Sequence, residues 1–380
     1  MEFSAPLASF LKPLVNVCAI TGGQSSTSTT EDFASNVMLT VKDGYLTILG
    51  TNYKIELSYT VPVAANVEGQ MLVNAAKLRE TLSKIPSQQL VTFISDRNEE
   101  GNLTIVSAQT RFQIRCRNGR DFPTFDPNNE EVEEVLCIAQ NTLKRILESS
   151  IFCVSAEEFR EYLRGVRFEV KGDDLTCFTS DGHRMAMIEA KLAQPIEDEF
   201  KVTLLRNCSA ELLKILESTD ETIELSFSRN KITTNCNGFK LTSKLLICNY
   251  PNVRGVLPKE IALSIVVDRA QLKEEISKVA VLSSKRVNGV TLLFEPEILR
   301  MRAENSEHEV ATSEMMINYD GPIVEITLNA SYLQDVLGAM NSQQVSFNFS
   351  KPLVNALIKP EGEPESESVH TRYIISRVVV

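Results

Sequence analysis

The sequence holds no CxxC pair, and its eight cysteines (Cys18, Cys116, Cys137, Cys153, Cys177, Cys208, Cys236, Cys248) are scattered over the first two thirds of the chain. A disulfide framework or a zinc site would cluster them, so the spacing predicts small buried thiols in a reducing cytoplasm. Three histidines, His183, His308 and His370, are too few and too dispersed for a metal site, and neither metal nor cofactor is expected. GxSxG, HExxH and a phosphate-cradling glycine loop are all missing, which removes the common signatures of hydrolases and nucleotide enzymes. No apolar run approaches the ~18 residues of a membrane span. The start, Met1-Glu2-Phe3-Ser4, lacks a basic stretch followed by an apolar core, so no secretory signal is expected and the chain reads as cytoplasmic, without a membrane partner.

What is present is an ordinary globular composition, 43% hydrophobic and 23% charged, over 380 residues. That length exceeds the roughly 250 to 300 residues over which one core keeps growing, so two or three domains are expected. The net charge of -11 argues at first sight against nucleic acid. Charges further apart than a Debye length of ~8 Å are screened from each other, however, so an acidic protein can carry one basic concave face.

A repeat selects three domains. The apolar pattern Val166, Phe168, Val170, Leu175 recurs upstream as Val37, Leu39, Val41, Leu46 and downstream as Val290, Leu292, Phe294, Leu299. An apolar-periodic helical stretch with a Leu-Lys step precedes each copy, at Leu11-Lys12, Leu143-Lys144 and Leu272-Lys273. A second helical stretch follows each, at Ala75 to Ile85, Ala210 to Leu216 and Ala330 to Met340. The period, near a third of the chain, is too long for a solenoid and right for a whole domain.

In the first unit Leu7, Phe10, Leu11, Leu14 and Val17 make one apolar helix face, ending at Thr21-Gly22-Gly23-Gln24 and a polar run to Thr30. Strands are predicted at Val37 to Val41, Tyr45 to Leu49, Glu56 to Val61, Leu90 to Ser95, Leu103 to Ser107 and Thr110 to Cys116. The period switches from 2 to 3.6 and back, which predicts a sheet with two helices laid on it, an α+β domain. Two proline-containing exits, Asp121-Phe122-Pro123-Thr124-Phe125 and Asn249-Tyr250-Pro251-Asn252-Val253, mark the boundaries. The domains are placed at 1–125, 135–258 and 259–380, with an acidic linker at 126–134. The Pro360 to Ser368 stretch is a polar turn, and the apolar end, Tyr373 to Val380, is read as a strand covering a groove or a flap facing a ligand.

The stretch Thr179 to Met185 puts Asp181, His183 and Arg184 on one turn. A hydrolase with His183 as base and Asp181 as orienter is one reading. General-base work needs groups converging on a substrate beside a nucleophile or metal, and neighbours on a sharp turn splay apart. The other two units carry Thr51-Asn52 and Glu304-Asn305 at the equivalent turn, so a polar turn is first a feature of the fold. The turn is therefore not read as a catalytic centre.

The chain resembles the bacterial DNA polymerase III beta subunit, the sliding clamp family, over its whole length. The matching segments are Leu11-Lys12-Pro13-Leu14, Asp121-Phe122-Pro123, Tyr162-Leu163-Arg164-Gly165, Ser180-Asp181-Gly182-His183-Arg184, Thr242-Ser243-Lys244-Leu245, Tyr250-Pro251, Val256-Leu257-Pro258-Lys259 and Gly289-Val290. The resemblance implies three clamp domains, each with its sheet outside and two helices inside, and a head-to-tail homodimer that closes a six-domain ring around duplex DNA. Twelve helices at ~9 Å spacing describe a circle of ~17 Å radius, or ~12 Å once half a helix diameter is subtracted, in the range that passes a duplex.

The implied function is a processivity clamp for the replicative polymerase, not an enzyme. The implied DNA-facing residues are Lys12, Lys77, Arg79, Lys144, Arg145, Arg206, Lys214 and Lys273, contacting phosphates without sequence preference. With Lys84, Arg269 and Lys278 they outnumber Glu80, Glu148, Glu211, Glu217, Glu274, Glu275 and Asp335 on the helical stretches. The replicative polymerase, clamp loader and repair polymerases would insert short linear motifs into a groove between the second and third domains. The resemblance lines it with Arg160, Tyr162, Leu163, Ser180, Gly182, His183, Arg184, Met185, Pro251, Val256, Asn329, Tyr332, Leu353, Ile374, Ile375, Ser376, Arg377 and Val378. The dimer interface would use Arg111 and Phe112 on one side and Val281 and Leu282 on the other. Gln24, Glu157 and Asn207 depart from basic residues common in the family, and Ser376 and Arg377 stand where it often has methionine and proline. A diverged peptide-binding scaffold that no longer encircles DNA is the alternative these departures raise.

Overall fold

The three recurring apolar runs fold as the same hairpin. In the computed structural model, which describes residues 1–22, 33–95, 100–120, 122–125, 131–155, 159–362 and 369–378, strand Asn36–Lys42 pairs antiparallel with Tyr45–Thr51. Gly165–Lys171 pairs likewise with Asp174–Ser180, and Gly289–Glu295 with Ile298–Glu304. Val41 faces Leu46, Val170 faces Leu175 and Phe294 faces Leu299 at the equivalent positions. All twelve side chains of the repeat are at most 1% exposed, so the periodicity marks the core-facing side of each hairpin. Gln24, Asp121, Glu157, most of the acidic linker, the polar turn near Pro364 and the last two valines lie outside the described residues.

Each copy runs strand, helix, four strands (five in the first), helix, three strands. The helices are α1 (Leu11–Ile20), α2 (Ala75–Ser83), α3 (Gln140–Glu148), α4 (Arg206–Ile215), α5 (Arg269–Val279) and α6 (Ala330–Ala339). Asn74, Asp268 and Asn329 start α2, α5 and α6 by accepting the amides of Lys77, Gln271 and Tyr332 at 3.0, 2.8 and 3.1 Å. Such a cap contributes about 1 kcal/mol each. Helix α4 begins four residues before the apolar stretch starting at Ala210, because its first turn is polar and carries no periodicity. The strands Glu2–Pro6, Ala64–Val67 and Gly69–Asn74 are not among those predicted. Met71 to Asn74 are buried on both faces, so apolar and polar residues do not alternate there.

The chain forms two compact units, Met1–Gln140 with Asn207–Leu245, and Asn141–Arg206 with Leu246–Val380. The second repeat is divided between them because its strands continue the sheets of its neighbours. In the first unit Phe239–Lys244 pairs with Ile55–Pro62, joining the strands of two repeats into a thirteen-stranded sheet. In the second unit Arg184–Lys191 pairs with the C-terminal strand Val369–Ser376, giving an eight-stranded sheet beside a four-stranded one. Helix α1 packs against α2 in the first unit, and α5 against α6 in the second.

Candidate peptide-docking cleft

The turn Ser180–Arg184, in the second unit, is built by its own side chains. Asp181 Oδ1 accepts the backbone N–H groups of His183 and Arg184, both at 2.9 Å. Ser180 Oγ accepts the Gly182 amide at 3.1 Å and donates to the Arg184 carbonyl at 2.7 Å. Gly182 sits at φ +90°, a conformation side-chain-bearing residues rarely adopt, and a Cβ there would lie 2.6 Å from Arg160 Nη2 and force the arginine to shift.

Beside the turn opens a cleft of about 230 Å³. Leu163, Met185 and Ile374 form its buried floor, and Pro251, Val253 and Val256 an apolar wall. Arg160, Tyr162, Ser180, Gly182, His183, Arg184, Asn252 and Ser376 complete the lining. Strand pairing sets Met185 opposite Ile374, which brings together residues far apart in the chain. Beneath them Met185, Leu357 and Ile374 pack with Val253 and Leu257. Tyr162 meets Tyr250 edge-on, with ring centroids 5.9 Å apart.

Asn252 and Val253 are lining residues that the sequence pattern did not single out. Their signal was the helical spacing of Val253, Val256 and Leu257 after Pro251, which folds as a short 3-10 turn. Six residues expected at the groove do not line this cleft. Ile375 is fully buried and alternates away from Ile374 on the strand. Asn329 is occupied as the α6 cap and donates to the Val287 carbonyl at 3.1 Å. Tyr332 stands one turn on, stacked 6.5 Å from the His183 ring. Leu353, Arg377 and Val378 lie on the segments beyond the end of the sheet.

The backbone donors around the cleft are already committed. The Ser376 amide donates to the His183 carbonyl at 2.9 Å, that of Arg377 to Val354 at 3.1 Å and that of Val378 to Thr327 at 2.8 Å. These three amides of the C-terminal segment are therefore not available to a ligand.

Arg184 is held in a cage. Nε donates to Asp181 Oδ2 at 2.9 Å, Nη1 to Asp335 Oδ2 at 2.6 Å and Nη2 to the Phe152 carbonyl at 2.6 Å. Its guanidinium carbon lies 4.4 Å from the centre of the Tyr332 ring and 5.2 Å from that of Phe152. Burial pushes its pKa down, but the hydrogen bond to Asp335 and the nearby carboxylates more than offset this, and the net shift is upward. Cys153 lies close by, its thiol pushed up by burial.

The residues expected to face nucleic acid sit on the helices. Lys12, Lys77, Arg79, Arg206, Lys214 and Lys273 are exposed, while Lys144 and Arg145 on α3 are half-buried. Lys214 is paired with Glu211 at 2.7 Å, and Lys278 with Glu274 and Glu275, each at 2.8 Å. Arg269 folds back onto the carbonyls of Ser342 and Leu337, so its charge supports the structure. Strand Thr110–Arg117, which carries Arg111 and Phe112, pairs along one edge with Glu100–Ser107. On the other edge only Cys116 and Arg117 pair, with Val73 and Leu72, so among the described strands residues 110–115 leave an edge open. Val281 is 78% exposed and Leu282 half-buried, on a 3-10 turn after α5.

Three family models cover the chain in succession: the N-terminal domain of the DNA polymerase III beta subunit over residues 1–126, its central domain over 137–252 and its C-terminal domain over 254–373. The chain belongs to the DNA polymerase III beta subunit family. The beta sliding clamp of Pseudomonas aeruginosa is 31% identical over 370 residues, with 97% of this chain and 98% of the relative covered. That of Escherichia coli strain K12 is 30% identical over 346 residues, covering 91% and 92%. The crystal structure of the P. aeruginosa DNA polymerase III subunit beta superposes with a TM-score of 0.88 at 29% identity over the whole of both chains. A structure of the same organism's sliding clamp bound to griselimycin gives 0.89, again at 29% identity over both whole chains.

The chain is thus a three-domain DNA sliding clamp for the polymerase, and the family is not enzymatic. The geometry agrees, since the Asp181 carboxylate that a hydrolase would aim at the His183 ring is spent on Arg184 and two backbone amides. No helix among the described residues is long and apolar enough to cross a membrane.

Proposed function

We propose that the clamp works as a cytoplasmic homodimer, closed head to tail around duplex DNA, and that the cleft beside Ser180–Arg184 receives short linear motifs of the replicative polymerase, the clamp loader and repair polymerases. The observation that carries the docking reading is the cleft itself, an apolar floor of Leu163, Met185 and Ile374 ringed by polar side chains. Two buried Leu or Phe anchors contribute ~3 to 6 kcal/mol, and micromolar affinity needs ~8 kcal/mol. With the amides of Gly182, His183, Arg184 and Ser376 already donated, the remainder has to come from backbone carbonyls and side chains at the rim.

The open edge at residues 110–115 and the exposed Val281 support the dimer reading, since a free strand edge is a ready template for pairing with a second chain. The exposed lysines and arginines support contact with phosphates, which hold position and carry no sequence information. The test is topological. Loaded by a clamp loader onto nicked circular duplex, the protein is expected to stay bound through gel filtration and to leave when the circle is cut. Equal loss from both forms would favour a scaffold that does not encircle DNA.

A further inference from the structure

Asp335 lies on α6, outside the cleft lining, yet its carboxylate reaches Arg184 at 2.6 Å across 151 positions of the chain. Arg184 in turn lines the cleft with a side chain only 10% exposed, and all its nitrogens are engaged. We infer that Asp335 is a positioning residue for peptide docking. Through Arg184 it ties the turn Ser180–Arg184 to α6 and holds the cleft at its working width while empty. This rests on the reading that the cleft docks peptides, and deepens it.

Three observations carry the inference. The side-chain bonds of Asp181 and Ser180 stay within the turn, whereas Asp335 supplies the hydrogen bond that joins its arginine to α6. Two rings lie against the guanidinium, Tyr332 on α6 and Phe152, so a shift of α6 would move the arginine and the stacked His183–Tyr332 pair together. Asp335 is itself half exposed, with 48% of its side chain in solvent, so the core does not require its burial. Holding a site in its bound shape lowers the ordering cost of association. A consequence for the ligand follows. Asp181 and Asp335 neutralise Arg184, so at this end the cleft selects an apolar anchor and gains nothing from a carboxylate.

The test is fluorescence anisotropy with a fluorescein-labelled decapeptide ending in Leu-Phe, and the same peptide ending in Asp-Asp as control, on the full chain. Wild type is expected to bind the first and not the second. Asp335→Asn is expected to weaken binding about tenfold, the worth of one charge-assisted hydrogen bond. In an Arg184→Gln background the same change is expected to matter by less than about twofold, because its route is already cut. Melting temperatures are read in parallel. Asp335→Asn binding within about twofold of wild type, or penalties that multiply independently of Arg184, would overturn the inference. So would affinity that falls only in step with the melting temperature. Failure of wild type to bind the Leu-Phe peptide, or preference for the Asp-Asp peptide, overturns the docking reading itself, a separate failure.

Discussion

Gly182 shows how one position can govern the cleft without contributing a side chain. Its positive φ is strained for any other residue, and a Cβ would push Arg160 aside. Gly182→Ala is expected to cost about 1 kcal/mol or more of stability, as alanine does where φ is positive. It should also displace Arg160 and weaken peptide binding, which calorimetric melting and anisotropy would check together. A variant with unchanged affinity would show that Arg160 does not shape the cleft. For the cysteines, spacing predicted buried thiols, and six of the eight are buried while Cys137 and Cys248 are half-buried. The thiols of Cys18, Cys177 and Cys208 are buried and pushed up to about 12, which fits inert core cysteines. Asp335, by contrast, reads in sequence as one more acid on a helix face, and nothing in its neighbours reveals that it pairs with Arg184.

At the level of elements, edges and turns separate surface from core. Val281 and Leu282 are adjacent on one short turn, and their spacing leaves open whether they pack inside their own domain. With Val281 78% exposed, that residue is not part of the core. Val281→Asp is expected to leave folding intact and yield a monomer by sedimentation velocity, while a persistent dimer would remove this turn from the interface. Leu282→Asp is expected to do the same at some cost in stability, since Leu282 is half-buried. The C-terminal strand has a double role that its apolar sequence only suggests. Ile374 faces the cleft floor and Ile375 the interior, and the amides beyond them are tied to His183, Val354 and Thr327.

For the molecule as a whole, an acidic chain that encircles DNA has to hold it weakly. Several helix charges are internally neutralised, as Lys214 is by Glu211, which leaves the exposed Lys12, Lys77 and Lys273 as the cations to test. Replacing these three by Glu is expected to slow loading and to lower the salt dependence of DNA association by about one unit of slope for each phosphate no longer neutralised. Retention on closed circles, being mechanical, should survive. A fall in retention alongside the salt slope would mean that charge, not enclosure, holds the clamp on DNA.

Local pattern was enough to establish three copies of one domain, the hairpins that build them and the polar turn at Ser180–Arg184, because alternation along a strand and spacing along a helix are written in neighbouring residues. Membership of the clamp family was legible for the same reason, in short segments kept in order along the chain. Tertiary structure alone decided that sheets run on from one repeat into the next, that Met185 lies opposite Ile374, and that Arg184 is gripped from α6. Those contacts join positions far apart in sequence. Their partners are chosen by which strand edges and side chains meet when the repeats pack, and no window of neighbouring residues records that choice.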